Sequence, residues 1–191
     1  MNLVERVKHI LLTPRTEWEV IDGETATPVG LFTGYIMPLA AIGPIAQVIG
    51  YSVFGVRFGG GMYRTPIGSA ITGAVIMYVL SLAGVYVLAL IIDALAPTFG
   101  GTRSQIQALK LAAYSSTASW VAGIFSLMPG LRALTILGLY SIYLLYLGLP
   151  VLMKAPAEKA GAYTAIVIVA AIVLFAVVTM LTGTFAATVI G

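Results

Sequence analysis

Between Lys110 and Lys154 the chain carries a single charged residue, Arg132, with 21 uncharged residues on either side of it. LAAYSSTASWVAGIFSLMPGL precedes the arginine and ALTILGLYSIYLLYLGLPVLM follows it. A helix rises ~1.5 Å per residue, so each gap is long enough for the roughly 30 Å hydrocarbon core of a bilayer. The two gaps read as a membrane hairpin with a basic residue at every water boundary. Composition agrees: 9% of the 191 residues are charged and 60% are hydrophobic, whereas a soluble domain is usually about 25% charged.

Three more apolar stretches flank the hairpin. Thr25 to Val56 has no charge and contains Pro38 and Pro44, which predict one kinked crossing, with a broken or re-entrant helix as the alternative. Thr65 to Ile92 is closed by Asp93 and Pro97, and Ala160 to Gly191 is the last apolar run. The expected fold class is all-α: a polytopic transmembrane helical bundle of five crossings, at about 29–56, 66–93, 108–130, 133–153 and 160–187. They form one domain, 29–191, behind an N-terminal segment, 1–28. In that segment Leu3, Val4, Val7, Ile10 and Leu11 share one helical face, opposite Glu5, Arg6, Lys8 and His9. This is a short amphipathic helix, either interfacial or packed on the protein, and Trp18 beyond it has the character of an interfacial anchor. Eight charges within residues 1–24 leave no apolar run for a cleaved signal.

Five crossings put the termini on opposite sides. The side of the N-terminus holds Arg6, Lys8, Arg15, Arg103, Lys110, Lys154 and Lys159, and the other holds Arg57, Arg64 and Arg132. The excess of positive charge places the protein in the plasma (inner) membrane with its N-terminus cytoplasmic and its C-terminus exported.

Catalytic constellations are missing. There is no cysteine and one histidine, His9. Neither H-E-x-x-H nor G-x-S-x-G occurs, and no carboxylate pair lies within a span. The reading is a non-enzyme without metal, cofactor or nucleic-acid partner. RFGGGMYR, residues 57–64, reads as a flexible turn with arginines at headgroups. Asp93, the only acid between Glu24 and Glu158, is expected to be solvated at a helix end. Gly30 and Gly34 form a G-x-x-x-G pair suited to close helix contact.

The hairpin offers the candidate packing or ligand face. Ser115, Ser119 and Ser126 lie with Ala112, Ala122 and Gly123 on a small-residue face of the third helix, opposite Tyr114. Tyr140, Tyr143 and Tyr146 form a stripe on the fourth. Buried hydroxyls need partners, so Ser115, Ser119, Tyr140 and Tyr143 are expected to point into the bundle.

LLTPRTEWEVI before the first crossing, Gly100 to Ser116 leading into the third, Pro129, and LYSIYLLYLGLPVLMKAP with Lys159 together resemble a prokaryotic member of the Yip (Ypt-interacting protein) family. Ala113-Tyr114-Ser115 stands where that family has Gly-Tyr-Ser; its D-L-Y-G-P motif and long cytosolic N-terminal region are missing. The resemblance implies five spans and a cytoplasmic N-terminus. In eukaryotic members it implies binding to prenylated Rab GTPases. The function expected is binding of partners or lipids, or self-association as a homo-oligomer, in membrane organisation. The alternative is a small transporter or channel with a path lined by Ser and Tyr of crossings three and four, gated at Pro38 and Pro44.

Overall fold

In the computed structural model, residues 2–58 and 60–190 are described, without the side chains of 56–58, 178–179 and 181–190. The side chain of Arg57 and all of Gly59, part of the turn expected at 57–64, lie outside the described residues.

Two short helices open the chain, α1 (Leu3–Leu12) and α2 (Pro14–Gly23). A capping box starts α1: Asn2 Oδ1 accepts from Glu5 N at 2.8 Å, and Glu5 Oε2 accepts from Asn2 N at 3.4 Å. Thr13 ends it, its hydroxyl donating to His9 O at 3.1 Å, and Pro14 begins the next helix where no backbone donor is needed. The two helices fold back on each other, because Arg6 of α1 bonds both Glu17 and Glu24.

The first span, Pro28–Phe54, is continuous but irregular. It comprises α3 (Pro28–Leu31), a π-helical turn (Phe32–Ile36), α4 (Met37–Ala40), α5 (Ile42–Ile49) and a second π-helical turn (Gly50–Phe54). Each proline lacks a donor and crowds the carbonyl four residues back. The π turn before Pro38 and the break at Ala41 before Pro44 absorb that crowding. Pro28–Phe54 is thus bent at its prolines without being interrupted by a loop.

A small hairpin follows, β1 (Val56–Phe58) antiparallel to β2 (Gly61–Tyr63), with Arg57 opposite Met62. The expected flexible turn is thus a paired ribbon. Next come α6 (Ile67–Leu95), which runs into a 3-10 turn (Ala96–Phe99), then α7 (Gln105–Ser115), α8 (Thr117–Ala122) and a 3-10 turn (Gly123–Leu127). A longer 3-10 segment (Pro129–Leu139), α9 (Tyr140–Leu152) and α10 (Ala157–Ile190) complete the bundle.

Four described helices are long and apolar enough to cross a membrane: Pro28–Phe54, Ile67–Phe99, Pro129–Leu152 and Ala157–Val177. The chain is a multi-pass all-α membrane bundle. The expected third crossing is not one continuous helix. Three hydroxyls in a row bond back to carbonyls: Ser115 to Leu111 O at 2.6 Å, Ser116 to Ala112 O at 2.7 Å and Thr117 to Tyr114 O at 2.7 Å. Such bonds compete with the helical ladder and bend it, here at Ser116.

Burial is uneven along the bundle. At the near end, where α1 and α2 pack, Ile10, Trp18, Ile21, Ile92, Leu109, Leu111, Leu149 and Met153 are fully covered. Towards the far end, at Pro129, large apolar side chains such as Val53, Ile71, Val75, Ile136 and Leu139 are exposed. Those exposed faces form the lipid-facing belt that a spanning bundle requires.

Candidate functional site

The near end gathers the charged residues. Arg6, only 6% exposed, donates to Glu17, itself 4% exposed, and to Glu24. Its guanidinium also lies 5.5 Å from the centre of the Tyr114 ring. Burial alone would lower the Arg6 pKa, but the hydrogen bond to Glu24 and the charges of Glu24 and Glu17 outweigh it, so the pKa lies above its ordinary value. His9 Nδ1 stands 3.5 Å from the second Glu17 oxygen.

Tyr114 anchors an aromatic cluster. Tyr35 meets it edge-on at 4.6 Å, Trp18 at 6.3 Å, and the Tyr35 hydroxyl shares a 2.7 Å hydrogen bond with Thr117 Oγ1. Between this cluster and α1 lies a polar cavity of about 570 Å³, lined by Arg6, Glu24, Gly30, Gly34, Tyr35 and Tyr114 among others. Gly30 and Gly34 therefore border open space, and a Cβ on Gly34 would meet nothing within 4 Å. They are not a helix-contact pair. Close approach is made elsewhere: a Cβ at Gly123 would sit 2.9 Å from Gly43 Cα, and one at Gly50 only 2.3 Å from Ser126 O.

Lys110 ties the segment 1–28 to α7, donating to Ile21 O at 2.9 Å and to Glu24 O at 2.5 Å. Gln107 donates to Asp22 Oδ1 at 3.0 Å, and Lys154 to Asp22 Oδ2 at 2.5 Å. The N-terminal segment is thus docked onto the bundle. Trp18, expected at the lipid interface, is instead completely buried against Gly148 of α9, because α9 lacks a side chain at that point. The polar face expected of α1 is likewise not all solvated, since Arg6 turns inward to two carboxylates.

Asp93 is also not solvated. It is 8% exposed, and its Oδ2 accepts from Arg103 Nε at 3.2 Å and Nη2 at 3.0 Å. The Arg103 side chain is 63% exposed, so solvent screens the pair. Asp93→Asn should therefore cost about 1 kcal/mol or less in thermal unfolding.

The two stripes of the hairpin divide. Ser115 is buried but bonds its own helix. Ser119 is exposed on the single chain, and its hydroxyl donates to Gly138 O at 3.0 Å and pairs with Ser141 Oγ at 2.9 Å. Ser126 is half-buried in the 3-10 turn. Tyr140 is half-buried and donates to Leu11 O at 3.2 Å. Tyr143 and Tyr146 are 41% and 44% exposed and line an open groove with Gly161, Thr164 and Ile168 of α10. Tyr140 thus reaches the end of α1, while Tyr143 and Tyr146 lie on the side of α9 towards α10. Sequence reasoning missed Arg6, Glu17 and Tyr35, which meet only through tertiary contacts. Among the described residues, no group of three or more His, Cys, Asp or Glu is placed to hold a metal ion.

Comparison with known proteins places this architecture. Two relatives are the inner membrane protein YohC of Escherichia coli strain K12 and its counterpart in Escherichia coli O6:H1 strain CFT073. Each is 27% identical over 174 residues, covering 88% of this chain and 89% of the relative. No solved structure matches. Residues 8–180, from within α1 well into α10, match the Yip1 domain, as the resemblance implied. The chain therefore belongs to the Yip1 family.

Proposed function

We propose that this is a non-enzymatic inner-membrane protein of five crossings that works by binding: to partners, to lipids or to copies of itself in membrane organisation. The relatives named as inner membrane proteins support the compartment. The fifth crossing would be α7, α8 and the 3-10 turn together. At ~1.5 Å per α-helical and ~2.0 Å per 3-10 residue, these reach roughly 35 Å, enough to cross despite the break at Ser116. Positive charge at the near end supports a cytoplasmic N-terminus.

The observation that carries the binding reading is the groove beside Pro44. It is about 340 Å³, lined by Ala41, Pro44, Ile45, Ile49, Val75 and Tyr78 among others, and contains no charged residue. Tyr78, its one hydroxyl, donates to Met37 O at 3.1 Å. A kink lined this way suits an acyl chain or a neighbouring helix rather than a solute or ion. The transport alternative finds less support, since the paired charges Arg6–Glu17, Arg103–Asp93 and Lys154–Asp22 all lie at the near end and the groove at Pro44 has no charged residue. Purified protein in proteoliposomes should move no ion or small solute faster than empty vesicles do. Flux that Pro44→Ala abolishes would contradict the binding reading.

A further inference from the structure

At the far end, Arg132 is partly buried and has no ion-pair partner among the described residues. Arg132 lies in the 3-10 segment Pro129–Leu139, its guanidinium 4.3 Å from the centre of the Tyr51 ring. Its Nε and Nη2 are shielded from water and have no hydrogen-bond acceptor among the described residues. Ser52 Oγ, beside the stacking ring, is buried and unpartnered as well. The acids of the chain are Glu5, Glu17, Glu19, Asp22, Glu24, Asp93 and Glu158, and all seven lie in α1, α2, the link to α3, the last turn of α6 or the first of α10. Every one belongs to the near end. None of the seven side-chain carboxylates supplies a counter-charge to Arg132, and ring stacking offsets only part of the cost of a desolvated guanidinium.

A cavity of about 480 Å³ adjoins the arginine, lined by Arg132, Thr135, Ser119, Ser141, Ile136 and Ile142 among others. It is polar towards Arg132 and the serines, while Ile136 and Ile142 are 65% and 40% exposed at its rim. Arg132 is the fourth residue of the span Pro129–Leu152, which sets it at the level of lipid headgroups. A guanidinium fork matches the oxygens of a phosphate.

We propose that Arg132 and this cavity bind the phosphate of an anionic phospholipid from the leaflet at the far end, with an acyl chain lying along Ile136 and Ile142. Binding requires a shift of the Arg132 side chain that exposes Nη2, since that atom is shielded from water. The site is separate from the groove at Pro44, so the two readings stand or fall on different experiments.

The test is native mass spectrometry of the full, delipidated chain given phosphatidylglycerol and phosphatidylcholine in competition. Wild-type protein should retain one phosphatidylglycerol with about tenfold preference, a difference that such competition resolves. Arg132→Gln should lose the preference while keeping its helical circular dichroism, and Arg132→Lys should keep only part of it. Arg64→Gln, which removes an exposed arginine of the same end, should leave it intact. Absence of a preference in the wild type overturns the proposal whether or not any variant folds. So does equal loss in Arg64→Gln, which would mean a diffuse anionic shell. Displacement of the lipid by inorganic phosphate would mean a free anion as ligand, and also overturns it.

Discussion

Gly148→Leu should undock the N-terminal segment from the bundle. A Cβ at Gly148 would lie 2.6 Å from Leu111 Cδ1 and 2.7 Å from Trp18 Cε2, closer than carbon atoms approach. Neither neighbour has room to give, since both Trp18 and Leu111 are fully buried. A leucine adds three more carbons, so the indole must leave its pocket. Losing the burial of a tryptophan costs about 3–5 kcal/mol. The N-terminal segment is also held by Lys110 of α7, which donates to the Ile21 and Glu24 carbonyls, and by Gln107 and Lys154 on the Asp22 carboxylate. Each bond contributes about 1–3 kcal/mol, and none individually exceeds the indole's burial. Limited proteolysis in detergent should show residues 1–24 of the variant cut many times faster than in wild type, while α6 and α10 stay protected. Trp18→Ala should give the same pattern more mildly, because it removes the indole without forcing α9 aside. Equal protection of the N-terminus in Gly148→Leu and wild type would contradict the packing described.

Glu17→Gln is expected to destabilise the folded protein by about 3 kcal/mol, at the low end of the range for breaking a buried ion pair because Glu24 remains as a partner. The loss comes from leaving the Arg6 guanidinium buried beside a neutral amide. It follows that removing both charges should be far less harmful than removing one. Arg6→Met combined with Glu17→Leu fills the same space with apolar atoms and should recover most of the stability. Thermal unfolding of Arg6→Met, Glu17→Leu and the double variant, alongside Glu17→Gln, in one detergent checks this directly. A double variant as unstable as the sum of its parts would mean that the pair is not coupled.

These two sites also mark where the sequence was legible and where it was not. Charge-free gaps locate α6, α9 and α10, because a span must exclude charge over a length set by the bilayer. The broken third segment escapes that criterion: a run such as Ser115-Ser116-Thr117 carries no charge and only mild polarity. Its signal was the adjacency of three hydroxyls able to bond back, which hydropathy does not weigh. Arg6 sits on the polar face of α1 by helical periodicity, and nothing local says that this face will meet Glu17 and Glu24 instead of water. Trp18 has the same difficulty, since an interfacial tryptophan and a buried one look alike until Gly148 is known to lie opposite. In the tyrosine stripe, the hydroxyl of Tyr140 finds a partner in Leu11 O, which helical periodicity alone does not identify. Tyr143 and Tyr146 line an open groove between α9 and α10, a placement that depends on how α10 packs and that the stripe itself does not reveal.

The number of crossings is the claim on which the topology and the placement of Arg132 both depend. The chain has no native cysteine, so single-cysteine labelling can be applied without a prior substitution. Thr102 lies in the link between α6 and α7, and Gly130 ends the third expected crossing, at the start of the span Pro129–Leu152. Both positions are exposed, and a side chain at Gly130 meets nothing within 4 Å. Five crossings require that a membrane-impermeant maleimide label Gly130→Cys in intact cells and label Thr102→Cys only after the membrane is opened. Labelling of both from the same side would mean that α7 and α8 do not cross, and would contradict the five-span reading.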